Sequence, residues 1–501
     1  MAGSVFDRKT IRDIHDEIRQ VYLADNRPWI LGYSGGKDST CMVQLIWGAL
    51  ESLPASKLRK SIYVISSDTL VESPKIVQQI TDTLDMMERA AQKISLPIST
   101  NLVRPKTEDS FWVCLLGKGF PAPSNLFRWC TERLKIRNAD RFIKEKVSEY
   151  GEAIVVLGTR RDESGSRQQL MSLYEIKGSL LSRHSKFPST YVYTPVRDFT
   201  AKDVWNYLLQ NRNPWGANNR DLLALYQNAK AAECPLVVDT NTPSCGNSRF
   251  GCWTCTVVDK DTSLRNTIRN GAEWMQPLLE LRQELKDTQD PEVRKKVRSL
   301  RRRTGQMKLV DEMRRKSFQE RIEKARGELE DKPAKPDPYE VLAPGPYTME
   351  FRVQFLEKLL HAEQKVRREG PDPMMSLIHE DEIREIQRIW RMEWGDWRNT
   401  AYMAYERIAG KRLYAAGDTD GFGGMEQDIL EETCAEAGVP ARLVAELLNA
   451  EVRHRGMARH SGIFREINRI LGEEWREDMD DIIADLEQKR LDAKKYGGVS
   501  R

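Results

Sequence analysis

A glycine-rich segment between an apolar run and a helical pattern constrains this chain most. Residues 29–33 are apolar and predict a buried strand, and residues 41–46 predict the first turns of a helix. Two glycines let the intervening backbone turn sharply, and the first amides of a helix have no partners within it. Such amides attract an anion. We therefore predict a phosphate-binding loop made of Ser34, Gly35, Gly36, Lys37, Asp38, Ser39 and Thr40.

Strand and helix patterns alternate through the first 210 residues or so. Strands are predicted at 29–33, 61–66, 98–103 and 153–158. Helices are predicted near 37–52, 73–94 and 131–148. This alternation predicts an α/β fold, with a parallel sheet and helices on both faces. Ligands of such sheets bind beyond the carboxyl ends of the strands, where the glycine-rich loop lies.

Four cysteines fall within a short region that is otherwise loop-like. They are spaced C-x10-C-x6-C-x2-C, and they are Cys234, Cys245, Cys252 and Cys255. Four thiolates at this spacing indicate a tetrahedral sulfur site, which suits zinc or an iron–sulfur cluster. The neighbouring aromatic residues Phe250 and Trp253 would exclude water from a redox centre. We therefore predict a 4Fe–4S cluster, with zinc as the lesser alternative.

Another cysteine, Cys130, stands just before a predicted helix and among basic residues. A helix N-terminus and nearby cations lower the pKa of a thiol, so the sequence predicts a reactive thiolate here. Cys130 would then be a persulfide carrier or nucleophile. The alternative is that Cys130 is a cluster ligand in place of Cys234.

Several of these motifs resemble those of the ATP pyrophosphatases, which split ATP between its α and β phosphates. Residues 34–39 match their SGGKDS loop, and the segment beginning at Asp68 is similar to a reductase motif of that superfamily. Residues 158–167 resemble the G-x-R-x-x-E-S-x-x-R motif of the sulfonucleotide reductases. The resemblance implies that Arg160 and Arg167 contact an oxyanion, although ion pairs with neighbouring acidic residues are the alternative.

The resemblance also implies ATP and Mg²⁺ as ligands. Lys37 would neutralise phosphate charge, and Asp38, within the loop, is the better metal candidate. Asp68 would accept hydrogen bonds from ribose hydroxyls or help to hold Mg²⁺, or else only cap the next helix. Lys37, Asp38, Cys130, Arg160 and Arg167 are thus the predicted catalytic residues.

The combination of motifs resembles the DndC-type sulfurtransferases of bacterial DNA phosphorothioation, within the phosphoadenylylsulfate reductase superfamily. The segments at 111–121 and 345–348, the surroundings of Cys130 and the cysteine spacing carry this resemblance. It implies adenylation of a DNA phosphate, a cysteine desulfurase as sulfur donor, and DndD and DndE proteins as partners. The alternatives are an adenylylsulfate or phosphoadenylylsulfate reductase and a tRNA thiolation enzyme.

The composition and the breaks in the pattern predict how the chain is organised. We expect a nucleotide-binding domain at 1–215, a cysteine-rich region at 216–262, a charged helical segment at 263–330, a proline-rich linker at 331–344 and a helical domain at 345–501. No run of 18 apolar residues occurs and the N-terminus lacks a signal-peptide core, so we expect a cytoplasmic protein without membrane contact.

A basic run at 294–303 is the candidate DNA-binding helix. The net charge of +4 does not itself indicate nucleic-acid binding. A solvated or partner-facing helix is the alternative.

Overall fold

The computed structural model describes residues 3–229, 251–310, 337–413, 422–454 and 461–496. Residues 331–336 of the predicted linker lie outside these ranges, as do Cys234 and Cys245. The chain divides into two compact units. The sheet unit comprises Met1–Phe111, Pro123–Gln283 and Arg368–Pro373, and the helical unit comprises Trp112–Ala122, Glu284–Arg367 and Met374–Arg501.

Six strands form one sheet in the sheet unit. They are β1 (Trp29–Gly32), β2 (Ile62–Ser67), β3 (Ile98–Val103), β4 (Ala153–Val156), β5 (Leu181–Arg183) and β6 (Thr190–Tyr193). Their order is β3-β2-β1-β4-β6-β5, and every neighbouring pair is parallel except β5 with β6. The four predicted strands are confirmed, and β5 and β6 extend the sheet at one edge.

Helices cover both faces of this sheet. Those that begin in the sheet unit are α1 (Ile11–Leu23), α2 (Lys37–Glu51), α3 (Pro74–Lys93), α4 (Arg137–Tyr150), α5 (Gly165–Leu173), α6 (Ala201–Gln210), α7 (Asn219–Ala229), α8 (Thr262–Arg269) and α9 (Gln276–Asp287). A π-helical turn, Thr131–Ile136, leads into α4. Successive strand residues point to opposite faces, so Leu31 joins the core under α1 and α2 while Ile30 joins the core under α4. Strands β1 and β4 are buried at every residue, as expected for central strands that are covered on both faces.

The helical unit confirms the predicted helical C-terminal region. Its described helices are α10 (Pro291–Val297), α11 (Pro338–Val341), α12 (Met349–Glu369), α13 (Glu380–Trp394), α14 (Thr400–Ala409), α15 (Gly424–Ala437), α16 (Ala441–His454), α17 (Ser461–Leu471) and α18 (Met479–Tyr496). Among the described helices of the whole chain, none is both long enough and apolar enough to cross a membrane.

The segment Trp112–Ala122 follows β3 in sequence but packs inside the helical unit. The Trp112 indole donates a hydrogen bond to the Leu377 carbonyl oxygen at 2.6 Å, and the Trp390 indole donates to the Leu116 carbonyl oxygen at 2.8 Å. A buried indole N–H needs an acceptor, so these bonds fix the segment in place. The core of the helical unit thus contains chain from within the N-terminal half.

Candidate functional site

The glycine-rich loop lies at the carboxyl end of β1, as predicted, and leads directly into α2. Gly36 is the N-cap of that helix, and Gly35 has a φ of 73° that favours glycine. The loop's own hydroxyls brace it: Ser34 Oγ accepts from the Gly36 amide at 3.3 Å, and Ser39 Oγ donates to the Gly36 carbonyl at 3.0 Å. The first amides of α2 therefore stand at the sheet edge in a preformed turn.

A buried ion network stands beside the loop. Asp38 Oδ2 lies 2.8 Å from Lys37 Nζ, and Asp38 Oδ1 lies 2.6 Å from Arg160 Nε. Arg160 is only 1% exposed and also lies 3.3 Å from Asp162. Sequence reasoning had placed the Arg160 guanidinium on an oxyanion; here it pairs with the loop's own carboxylate, 122 residues away in sequence. Arg160 and Lys37 thus fix Asp38 from both sides.

The two carboxylates predicted to hold Mg²⁺ are both paired in this structure. Both oxygens of Asp38 accept from cations, as described above. Asp68 Oδ1 accepts from the Leu70 amide at 2.9 Å, and Asp68 Oδ2 accepts from Arg104 Nε at 2.9 Å. In this arrangement both side chains brace the loops. Each carboxylate oxygen can accept from a second partner, so the binding of Mg²⁺ by Asp38 or Asp68 stays a prediction.

The second predicted oxyanion arginine, Arg167, pairs with Glu163 one helical turn earlier. Its amide also donates to Ser164 Oγ, which caps α5. The alternative stated for this residue, an ion pair with a neighbouring acid, is the arrangement found.

The C-x-x-C segment hydrogen-bonds to the chain that follows β2. The Trp253 amide donates to the Val71 carbonyl at 3.0 Å, and the Ser73 amide donates to the Gly251 carbonyl at 3.2 Å. The cysteines are therefore held at the carboxyl edge of the sheet, the same edge at which the phosphate loop lies. Sequence spacing alone could not place these two motifs together.

Three described cysteines lie close together at this edge. Cys252 Sγ lies 3.3 Å from Thr69 Oγ1, and both Cys252 and Cys130 interact electrostatically with Cys255. Burial raises the pKa of Cys252 to about 12, with Lys135 opposing that shift. The structure thus brings Cys130 to the C-x-x-C pair, although about 120 residues separate them in sequence.

The predicted low pKa of Cys130 is wrong in this structure. Burial raises the pKa of the Cys130 thiol to about 11, and the charge of Cys255 adds to the rise. Thr131 and Lys135 act in the opposite direction but do not outweigh burial. The sequence argument counted the cations near Cys130 and missed its desolvation.

The donors at this place fit a thiophilic metal or cluster. Cys130, Cys252 and Cys255 supply thiol groups, and soft thiolates select zinc or iron–sulfur centres. The Thr254 hydroxyl, between the paired cysteines, is buried and has no hydrogen-bond partner among the described residues. Within the described residues, no three His, Cys, Asp or Glu side chains are arranged to hold a metal ion by themselves. A complete site would draw on cysteines outside those ranges.

A buried arginine that sequence reasoning missed holds the chain after Cys255. Arg282 on α9 is fully buried, and its guanidinium donates to the carbonyls of Cys255 and Asp259, each at 3.0 Å, and of Val258. Burial lowers the pKa of Arg282. A single arginine in a charged amphipathic helix gives no sequence signal, because the helical pattern does not indicate which carbonyl oxygens it will bind.

An apolar hollow opens at the carboxyl edge on the face covered by α4. Its lining includes Gly32, Ile65 and Leu157 from the strand ends and Ile136 and Ala139 from the helix side. Asp140, His184 and Lys186 add polar groups to this mainly aliphatic lining.

The basic run at 294–303 is not the continuous helix that was predicted. Helix α10 ends at Val297, and the following arginines are used inside the helical unit. Arg298 Nε donates to the Gly345 carbonyl at 2.5 Å, and Arg301 lies 3.1 Å from Glu473. Arg303 pairs with Glu393. Three arginines of the run therefore bind groups within their own unit, which sequence charge alone did not indicate.

Comparison with known proteins agrees with this fold. Residues 28–258, somewhat less than half of the chain, match the family model of the phosphoadenosine phosphosulfate reductase domain. With the mostly parallel sheet and flanking helices, the chain has a phosphoadenosine phosphosulfate reductase (PP-loop) fold followed by a helical C-terminal region.

Two further likenesses are more distant. An uncharacterized protein of Methanocaldococcus jannaschii is 25% identical over 198 residues, which are 40% of this chain and 35% of that protein. The chain thus spans about a third of the length of this relative. The structure of the U34-tRNA thiolase NcsA from Methanococcus maripaludis with its 4Fe–4S cluster is 12% identical, with a TM-score of 0.26, over 55% of this chain and 80% of that chain.

Proposed function

We propose that this chain is an ATP-dependent sulfurtransferase that acts on the DNA backbone. It would cleave ATP between the α and β phosphates and use the adenylyl group to activate a phosphate of DNA. A non-bridging oxygen of that phosphate would then be replaced by sulfur. The observation that carries this proposal is the hydrogen bonding of the C-x-x-C segment to the chain after β2, which sets sulfur chemistry beside the phosphate loop.

The loop supplies the anion site for the departing pyrophosphate. In this proposal the first amides of α2, which have no acceptors within the helix, bind the pyrophosphate. Lys37 brings the positive charge, and Asp38 holds Lys37 and Arg160 in fixed positions. Because these groups are fixed before the ligand arrives, they need little reorganisation as charge develops on the leaving group.

The chemistry balances in two displacements. A DNA phosphate oxygen attacks the α phosphorus of ATP, and pyrophosphate leaves. Hydrosulfide, which a thiol reductant releases from the desulfurase persulfide, then attacks the DNA phosphorus, and AMP leaves with the oxygen that is to be replaced. We propose a cysteine desulfurase as the source of this sulfur and DndD and DndE proteins as companions in the complex.

Cys130 acts in this proposal as a ligand rather than as a free nucleophile. Its half-buried thiol interacts with Cys255 and has a raised pKa, so it would be a poor thiolate without a metal. A 4Fe–4S cluster would supply a sulfur-bound electron-transfer or structural centre there, with zinc as the alternative. Cys245, outside the described residues, would complete the set of four ligands, with Cys130 in place of Cys234.

Pyrophosphate release tests the enzymatic proposal. The purified protein is incubated with ATP, a cysteine desulfurase, cysteine and either duplex DNA or tRNA, and the products are measured by mass spectrometry. We expect pyrophosphate release and phosphorothioate nucleotides with DNA. Thiolated tRNA instead of modified DNA would contradict the DNA assignment, and no pyrophosphate in any arm would contradict the ATP chemistry.

Metal analysis tests the cluster separately. Cys252→Ala should remove the brown absorbance and most of the iron, because the residue lies at the proposed centre. Cys434→Ala is the matched control, since Cys434 is buried in the helical unit and should leave iron unchanged. Zinc in place of iron in the wild-type protein would refute the iron–sulfur proposal.

A sulfonucleotide reductase is the second candidate, because the matching family model is that of phosphoadenosine phosphosulfate reductase. Such an enzyme would release sulfite from adenylylsulfate or phosphoadenylylsulfate in the presence of a thiol reductant. Sulfite formation without pyrophosphate release would favour this candidate over the sulfurtransferase.

A further inference from the structure

A tyrosine on α7 contacts the phosphate loop at its central amide. The Lys37 amide donates a hydrogen bond to the Tyr226 hydroxyl at 3.1 Å. The Lys37 ammonium also lies 5.7 Å from the centre of the Tyr226 ring, within reach of a cation–π interaction. Tyr226 thus meets both the amide and the side chain of the loop's lysine.

That amide is one that a phosphate would need. Lys37 is the first residue of α2, so its N–H points out of the helix and has no acceptor within it. In the arrangement found, the phenolic oxygen accepts from this N–H, as a phosphate oxygen would. One N–H group donates one strong hydrogen bond at this distance, so the Tyr226 oxygen and a phosphate oxygen would exclude each other from the Lys37 amide.

Tyr226 is held in place by the other side of its ring. It meets Trp205 of α6 edge to face, with the ring centres 5.2 Å apart and the planes at 84°. Pairs of this kind are worth roughly 0.5–1.5 kcal/mol beyond area burial, so the hydroxyl is directed at the loop rather than sampling solvent.

We infer that the Tyr226 hydroxyl competes with a phosphate oxygen of the bound nucleotide for the Lys37 amide. Tyr226 therefore sets the affinity of the loop for ligands that carry a pyrophosphate group. This inference rests on the proposed function, since it assumes that the loop binds such ligands. It adds a residue, 189 positions from the loop in sequence, that the loop motif does not contain.

Binding of inorganic pyrophosphate by isothermal titration calorimetry tests the inference. Tyr226→Phe keeps the ring and removes the competing oxygen, so its dissociation constant should fall about fivefold, the effect of one ordinary hydrogen bond. Tyr63→Phe is the control, because Tyr63 hydrogen-bonds to Tyr150 at the exposed surface and should leave binding unchanged.

The outcomes separate the inference from the proposed function. The inference alone is overturned if the wild type binds pyrophosphate as tightly as Tyr226→Phe or more tightly. Tighter binding by the wild type would show that the hydroxyl contacts the ligand. No pyrophosphate or ATP binding by the wild type overturns the proposed function, and the inference with it.

Fluorescence gives a second measurement that needs no change at Tyr226. If pyrophosphate displaces the hydroxyl, the surroundings of Trp205 change, and the wild-type emission should change on titration. The Trp205→Phe protein should lose the part of the emission change that comes from Trp205. The emission of the other tryptophans should respond to pyrophosphate as in the wild type. Identical responses in the two proteins, with pyrophosphate bound in both, would overturn the competition.

Discussion

Gly158 offers a sharp test of how the sheet edge shapes the phosphate loop. It lies two residues after the end of β4, against the first turn of α2. A Cβ at this position would stand 2.8 Å from both the carbonyl carbon and the carbonyl oxygen of Asp38, and 2.9 Å from the Ser39 nitrogen. These are backbone atoms, so no side-chain rotation can relieve the overlap.

Gly158→Ala should therefore push the first turn of α2 away from β4. Overpacking of this kind costs about 1–3 kcal/mol. Since the displaced atoms belong to the phosphate loop, we expect ATP affinity to fall by about tenfold or more, which corresponds to roughly 1.4 kcal/mol. The loss should appear both in urea unfolding followed by circular dichroism and in ATP binding followed by calorimetry.

Gly165→Ala is the matched control. Among the described residues beyond its chain neighbours, no atom lies within 4 Å of a Cβ built there. The residue opens α5, where alanine is the better helix former. Its urea midpoint should stay equal or rise slightly, with ATP affinity unchanged. If Gly158→Ala keeps both the wild-type midpoint and the wild-type affinity, the packing argument is refuted.

Three further predictions concern other parts of the chain. Burial alone would raise the pKa of Asp203, but hydrogen bonds from Ser4 and the start of α6 outweigh burial and lower this pKa. The carboxylate therefore stabilises the fold at pH values above its unfolded pKa of about 3.9. This stabilisation is lost as the pH falls through the folded pKa. Asp203→Asn should cost about 1–2 kcal/mol at pH 7 in urea unfolding and flatten the acid limb, whereas an unchanged acid limb would contradict the assignment. Arg282→Met leaves three carbonyls without their hydrogen-bond donor, so it should lower the free energy of unfolding by roughly 3 kcal/mol and reduce the bound iron. A full iron content would show that Arg282 does not hold the segment after Cys255 in place. Arg301→Glu should lower the melting temperature, because Arg301 pairs with the buried carboxylate of Glu473. Lys296→Glu, at an exposed position, should leave the melting temperature unchanged. Equal melting temperatures of the two variants would show that the basic run at 294–303 is a solvent-exposed surface.

The sequence predicted the parts of the fold that depend on local pattern. Strands β1 to β4 alternate with helical periods, and their positions are confirmed within two residues. Helix α6 begins with a capping box of Thr200 and Asp203, which is a local four-residue pattern. Strand β6, Thr190–Tyr193, was missed because its sequence TYVY is less apolar than those of β1 and β4, which are equally short.

The site was harder to predict because its contacts are distant in sequence. The motif around Arg160 was recognised, but its pairing with Asp38 depends on how β4 stands beside β1. The low pKa expected for Cys130 followed from nearby cations, whereas burial, a property of the fold, decides its direction. Tyr226 belongs to no motif, and only the packing of α7 brings it to the loop.

The burial of Trp112–Ala122 inside the helical unit has a consequence for synthesis. The Trp390 indole that binds the Leu116 carbonyl is translated 274 residues later. At roughly 5–20 residues per second, this apolar segment emerges from the ribosome tens of seconds before its partner exists. During that interval the nascent chain exposes Trp112, Leu115 and Leu116, which are fully buried in the finished protein. Chaperone capture of stalled nascent chains should therefore concentrate on this segment and end once α13 has been translated.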